Sequence, residues 1–181
     1  MPTSITRLVA DIVRLASSGL TIDVNGNILD DPHVNYLFGD AEYIKDMLDD
    51  YSKDAGKEKF PLIALFTPVQ EQRGIPGFAS KVKLNLLIAC STTKDYSNEE
   101  REDLSFERIL RPIYNRLMDV IGDDPRIEVN YDGSIPHEYS ENYSYGRYGA
   151  YTGNGEEVSE PIDAINIRSL EIKVKNSSCR I

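Results

Sequence analysis

The stretch Phe106–Ile121, FERILRPIYNRLMDVI, decides the fold. Its apolar residues are Phe106, Ile109, Leu110, Ile113, Tyr114, Leu117, Met118 and Ile121. They recur in alternating steps of three and one, which marks one face of an α-helix and excludes a strand. A stripe of that width must lie on something apolar, and the chain supplies strands for it to cover. Pro112 interrupts it, lacking the amide that would bond the carbonyl of Arg108. The spacing therefore predicts either a kink there or a helix that begins nearer Ser105. Upstream, Ser97-Asn98-Glu99-Glu100 fits a capping box, so a helix starting there can run into the stripe. Gly122 ends it.

Two runs ahead of the stripe read as central strands. Phe60–Thr67 (FPLIALFT) is apolar on both faces. Lys81–Ser91 alternates, with Val82, Leu84, Leu86, Ile88 and Cys90 on one face. The two are expected to pair antiparallel. The link Pro68–Ser80 holds Gly74, Pro76 and Gly77 and is long for a hairpin loop, which makes it a contact candidate through Gln70, Gln72 and Arg73. Its bland reading is an ordinary hairpin tip.

At the N-terminal side, Thr3 or Ser4 can cap a helix carrying Ile5, Leu8, Val9, Ile12, Val13 and Ala16, stopped at Gly19. Leu20–Val24, the turn Asn25-Gly26-Asn27 and Ile28 predict a short hairpin. Asp30–His33 reads as a loop. Asp40 can cap a second, acidic helix to about Asp54, with Ile44, Met47, Leu48 and Tyr51 as its stripe. Beyond the central helix, Arg126–Tyr131 alternates, with Ile127, Val129 and Tyr131 on one face.

Residues Ala164–Lys175 form a strand pattern with a phase slip. Ile165 and Ile167 have one parity; Leu170, Ile172 and Val174 have the other. One inserted residue at Arg168-Ser169, a β-bulge, would return them to a common face. The expected class is thus α+β: a single antiparallel or mixed sheet covered by two or three helices, with the first and third on one face. At 181 residues one domain, 1–181, is the default, with 176–181 as a polar flexible tail.

Asp132–Pro161 differs from the rest. It carries Tyr139, Tyr143, Tyr145, Tyr148 and Tyr151 among five glycines and almost no aliphatic residue. Such a segment cannot build its own core. It is expected to be an extended loop or arm that orders on a partner, with Arg147 among its contacts, since Tyr supplies amphipathic area at low entropy cost. Base stacking on single-stranded nucleic acid is a second reading, opposed by Glu138, Glu141, Glu156 and Glu157. A disordered surface insertion is the bland one.

Composition bounds function more by exclusion. The formal charge of −10 argues against gripping nucleic-acid phosphates or anionic membrane. An apolar content of 40% and a charged content of 28% are those of a soluble globule, and no run approaches the ~20 apolar residues of a membrane span. The N-terminus lacks a signal-peptide h-region, so a cytoplasmic or virion location is expected. Cys90 and Cys179 show no zinc spacing, and a disulfide between them is not expected. His33 and His137 lie in loops beside proline; His33 with Asp30 and Asp31 is the one arrangement that suggests acid/base or metal chemistry, and loop polarity is its ordinary reading. The pairs Asp49-Asp50, Glu99-Glu100 and Asp123-Asp124 are neighbours in sequence, so their side chains diverge and they read as caps or solvated faces. Walker, G-x-G-x-x-G and G-x-S-x-G motifs are absent. No cofactor, metal or catalytic residue is expected.

The runs FPLIALFTP and KVKLNLLIACST, the Thr92-x-x-x-Tyr96 loop and the helix with RPIY in its middle resemble small virion proteins of tailed phages. These form rings at the head–tail junction and are called neck, connector, tail-completion or tail-terminator proteins; the ring proteins of crAss-like phages are one group. The resemblance covers roughly Phe60 to Ile121. It implies an α+β subunit, a closed homo-oligomeric ring, contacts with portal or adjacent neck and tail proteins, and double-stranded DNA passing nearby without specific binding. It implies no catalytic residue. The Tyr/Gly segment has no counterpart in it. The competing reading is a monomeric cytoplasmic binding module that uses the tyrosine-rich loop on a protein or peptide.

Overall fold

Helix α1 (Ile5–Ser17) buries Ile5, Leu8, Val9, Ile12, Val13 and Ala16, the whole stripe its spacing marked out. The computed structural model describes residues 4–44, 46–47, 59–145 and 161–175. The Ser4 hydroxyl bonds Thr6 rather than a helix amide, while its carbonyl accepts the Leu8 amide at 2.9 Å. Gly19, at φ 74°, turns the chain out of the helix, a conformation that favours glycine. The hairpin follows: β1 (Thr21–Val24) pairs antiparallel with β2 (Asn27–Asp30) across Asn25 and Gly26, both at positive φ as a two-residue turn requires.

A seven-stranded mixed sheet carries the rest. Strand β4 (Leu62–Phe66) pairs antiparallel with β6 (Phe78–Ser91), and β6 with β9 (Ile162–Lys175). The link after β4 is more ordered than a loop: β5 (Gln70–Arg73) pairs with the first half of β6, so β5 and β6 make a hairpin with Gly74 and Gly77 at its tip. Strand β3 (Asn35–Gly39), which the sequence pattern does not announce, runs parallel to β4 as an edge. Beyond β9 lie β7 (Ile127–Glu128) at one end and β8 (Glu138–Tyr145) at the other. Asp40 caps a helical turn over residues 41–44, its carboxylate accepting the Tyr43 amide at 2.8 Å. The rest of the expected 40–54 helix, from residue 48, lies outside the described residues.

The bulge in β9 is where the phase slip places it. Leu84 faces Leu170 and Leu86 faces Ile167, so β9 has one more residue than β6 over that span. Ser169 takes up the excess at φ 53°, and its amide donates to Asn85 Oδ1 at 3.0 Å. Ile165, Ile167, Leu170, Ile172 and Val174 consequently share one core.

The central helix is continuous from Asn98 to Asp123, in three parts. A short α2 (Asn98–Arg101) is capped by Ser97 and Glu100 in the reciprocal box. A π-helical segment, Glu102–Leu110, follows, and then α3 (Arg111–Asp123). The late start expected of Pro112 does not occur: the helix runs from Asn98 through the proline. The Arg111 amide instead bonds the Phe106 carbonyl, five residues back. A wider turn keeps the proline ring from the carbonyl it would strike in an α-helix.

The stripe from Phe106 to Ile121, with α1, covers the face of the sheet that carries Ile63, Val82, Leu84, Ile88 and the β9 set. The opposite face has a smaller apolar cluster of Leu62, Ala64, Leu87, Ala89, Ile162 and Ala164, closed by Ile44. The α+β expectation thus holds, with mixed pairing, the first and central helices on one face, and the helical turn that carries Ile44 on the other. Tyr131 departs from its pattern: β7 stops at Glu128 and Tyr131 is fully exposed (104%) in the turn before Gly133.

Candidate functional site

The first half of the tyrosine-rich segment does not leave the molecule. The expectation of a free arm from Asp132 is corrected over Glu138–Tyr145, which is β8. The open edge of β9 offers unpaired main-chain groups, and β8 satisfies them from Glu138↔Arg168 to Tyr145↔Ile162. Tyr139 and Glu141 oppose Ile167 and Ile165, so both lie on the helix side of the sheet. The Tyr139 ring meets Tyr114 edge-on, centroids 4.8 Å apart, and the Tyr143 ring lies 4.3 Å from that of Phe106. The tyrosines thus use the flank of the central helix as their core, with 41% of Tyr139 and 37% of Tyr143 still exposed. Arg147, Tyr148 and Tyr151 lie outside the described residues, as does the side chain of Tyr145.

Arg111 holds this arrangement. Its guanidinium donates to both carboxylate oxygens of Glu141, at 2.8 and 3.0 Å, and reaches Glu102 and Glu107 at 2.7 Å. The hydrogen bond from Arg111 lowers the Glu141 carboxyl below its usual range, against burial that would raise it. The Tyr143 hydroxyl donates to Glu102, and burial together with that carboxylate pushes the phenol up to about 12. The Tyr139 hydroxyl donates to Glu141 in the same way, so both tyrosines act as neutral hydrogen-bond donors. Beside Tyr143 runs an open groove of about 450 Å³ walled by Asn98, Glu99, Glu102, Asp103 and Glu107. Its charge and its exposed ring suit a basic, amphipathic segment.

Gln72 and Arg73 sit on β5, exposed along its length, with Arg73 paired to Glu71 at 3.2 Å. This is the opposite edge of the sheet from β8. The structure therefore does not bring the two sets of expected contact residues together; it makes two separate surfaces.

The histidine arrangement is taken apart by local hydrogen bonding. Asp30 accepts the Thr21 hydroxyl at 2.6 Å and Asp31 the Gly19 amide at 2.6 Å, so both carboxylates close the β1–β2 hairpin. His33 is exposed. His137 contacts the Tyr114 hydroxyl at 2.8 Å. Among the described residues, no group of three or more His, Cys, Asp or Glu side chains could hold a metal ion.

One polar constellation escaped sequence reasoning. Arg101 and Asp163 are both fully buried and bonded at 3.0 Å. Arg101 also donates to the carbonyls of Thr93 and Tyr96, and the Ser105 hydroxyl to Asp163 at 2.8 Å. Cys90 lies beside them; burial and then the Asp163 charge push its thiol up to about 12, keeping it protonated and unreactive. Asp124, expected as a cap or solvated face, is buried and engages the Arg126 guanidinium, which also reaches Asp11 at 2.8 Å. Both networks tie distant segments together. The sequence signal was faint: Arg101 stands on the buried side of the helix, four residues before Ser105.

Among the described residues no helix is long and apolar enough to cross a membrane. Comparison with protein-family models, with curated proteins and with solved structures finds no match to this chain.

Proposed function

We propose that this chain is a structural virion subunit of a tailed phage, assembling as a closed homo-oligomeric ring at the head–tail junction. It would bridge portal-side and tail-side proteins around the DNA channel, without catalysis or cofactor. The sequence resemblance from Phe60 to Ile121 is the starting point, and those residues form β4, β6 and the central helix. The observation that carries the reading is β8. It fixes the base of the tyrosine-rich segment on the helix flank through Arg111, with two half-exposed tyrosines and an acidic groove beside it. A segment launched from a rigid base can reach a neighbour at low entropic cost. Rings need such heterologous contacts, in which one subunit's arm meets a different surface of the next. A chain of net charge −10 can stand beside DNA without binding it. The lysines at one end of the sheet, Lys81, Lys83, Lys173 and Lys175, would on this reading face away from the channel.

Coexpression with the proteins encoded on either side of its gene is the test. Open-centred rings in electron micrographs, weakened by combined Tyr139→Ala and Tyr143→Ala, are expected. A chain that stays monomeric with those neighbours, in a gene context without portal or tail proteins, overturns the proposal. That result would favour the monomeric module that recognises a protein through the same tyrosines.

A further inference from the structure

The edge of the sheet opposite β8 is stepped. Beside the second half of β6 stand two strands, β4 and then β3; beside its first half stands one, β5. The main-chain directions of the two edge strands follow from the ladder. Asn35 donates to Pro61 and Gly39 accepts from Thr67, so the odd-numbered residues of β3 face β4. Tyr36 and Phe38 then turn their N–H and C=O outward. The same alternation carried through β4 turns Leu62 and Ala64 toward β6, and the odd-numbered residues of β6 toward β4 and β5. Gln70 and Gln72, opposite Lys83 and Lys81, are therefore bonded, and Glu71 and Arg73 turn outward. The side chains of all four outward residues lie on the helix side: Tyr36 opposes Ile63, Glu71 opposes Val82, and Arg73 opposes Ser80.

We infer that this step is a homodimer interface in which β3 of one copy pairs antiparallel with β5 of the other, twice, about a two-fold axis normal to the sheet. Turning a second copy half a revolution in the plane of the sheet brings its β3 into the recess beside β5, and its β5 against β3. Three strands then separate the two β6 strands at both levels, so both junctions close together. The register that keeps the helix-side residues together sets Tyr36 against Arg73 of the second copy, Leu37 against Gln72, Phe38 against Glu71 and Gly39 against Gln70. That register also places outward N–H and C=O groups opposite one another, giving about eight main-chain hydrogen bonds in all.

The chemistry of the edge favours this occupant. Tyr36–Gly39 carries no charge, proline or bulge, the usual guards of an exposed edge. Phe38 is 49% exposed and stacked on Tyr36 at 6.1 Å, above a groove of about 460 Å³ that Tyr43 and Thr67 also line. Arg73 of the second copy would lie across that aromatic pair, a cation–π contact. Among the described residues nothing pairs with the outer edge of β3 or of β5. The pairing is isologous and stops at two copies, so it does not rest on the ring reading, whose contact must be heterologous.

Light scattering on the purified chain tests it. A mass of twice 20.4 kDa is expected, falling to one chain in Phe38→Pro, which removes an outward N–H and the aromatic ring but no bond of the β3–β4 ladder, and in Phe38→Lys. A single-chain mass in the wild type, or a mass unchanged by both variants, overturns the pairing. Should the edge variants fail to fold, Phe38→Cys with Glu71→Cys in a Cys179→Ser background is the second arm. Oxidised glutathione should crosslink that double variant into dimers and neither single-cysteine variant; absence of crosslinking overturns the register. Rings with the neighbouring gene products that survive Phe38→Lys, from a wild type with no free dimer, sink the pairing and keep the ring. An edge-sensitive dimer that never forms rings with them does the reverse.

Discussion

Arg101 shows what a single side chain can hold. It is buried with Asp163, and its remaining donors reach the Thr93 and Tyr96 carbonyls, so it joins the helix start to the loop after β6 and to β9. A buried pair of this kind contributes little over an apolar filling, but breaking it strands a charge. Arg101→Met is expected to destabilise the fold by about 3–5 kcal/mol in urea denaturation, with partial recovery when Asp163→Leu is added. Ser169 makes the opposite case. Its φ of 53° is a left-handed conformation that costs a non-glycine residue about 1 kcal/mol. Ser169→Gly should raise stability by up to that amount, and a melting temperature that falls would show that the hydroxyl has a role the geometry does not reveal. Deleting Ser169 should be far worse, because Leu170, Ile172 and Val174 would turn to the other face.

At the scale of elements, what could be read from the chain was whatever repeats. The stripe of the central helix, the α1 stripe and the alternation of β6 rest on several residues agreeing with one period, the bulge on a single slip between two such runs, and the capping box on a fixed local spacing. The edge strands could not be read that way. β3 and β5 are short and β8 carries almost no aliphatic residue, and they exist because β4, β6 and β9 present open ladders, not because of their own pattern. The tyrosines of β8 found their core on a helix about 30 residues earlier in the chain, which no local signal announces. The π-helical segment was hidden for a related reason: proline announces a conflict with the α-helix but not how the conflict is resolved. The tie between β8 and the helix is testable. Arg111→Ala should leave the global melt nearly intact while speeding amide hydrogen exchange across Tyr139–Asn142 on the order of tenfold, the scale of one charge-assisted bond. Exchange unchanged in the variant would mean that the ladder to β9 holds β8 alone.

For the molecule as a whole, the pH dependence has a definite sign. Burial raises the Asp124 carboxyl, but its bonds to Arg126 prevail and lower it; Glu141 is lowered by Arg111. Carboxylates depressed by folding contribute stability above their unfolded pKa of about 4, and that contribution is lost as pH falls through the folded values. Stability is therefore expected to drop steeply below about pH 4, and Asp124→Asn should be less stable at neutral pH with a shallower acid limb. An acid limb identical to wild type would assign the loss to other groups.

The two longest strands, β6 and β9, begin 84 residues apart and make the widest junction of the sheet. During synthesis the helix, both hairpins and β4 must wait, apolar faces uncovered, until a strand made late arrives to complete the ladder. Folding of this chain on the ribosome should thus be nearly all-or-none. Chains halted before Ile162 would emerge as sticky, protease-sensitive fragments rather than as a smaller version of the fold.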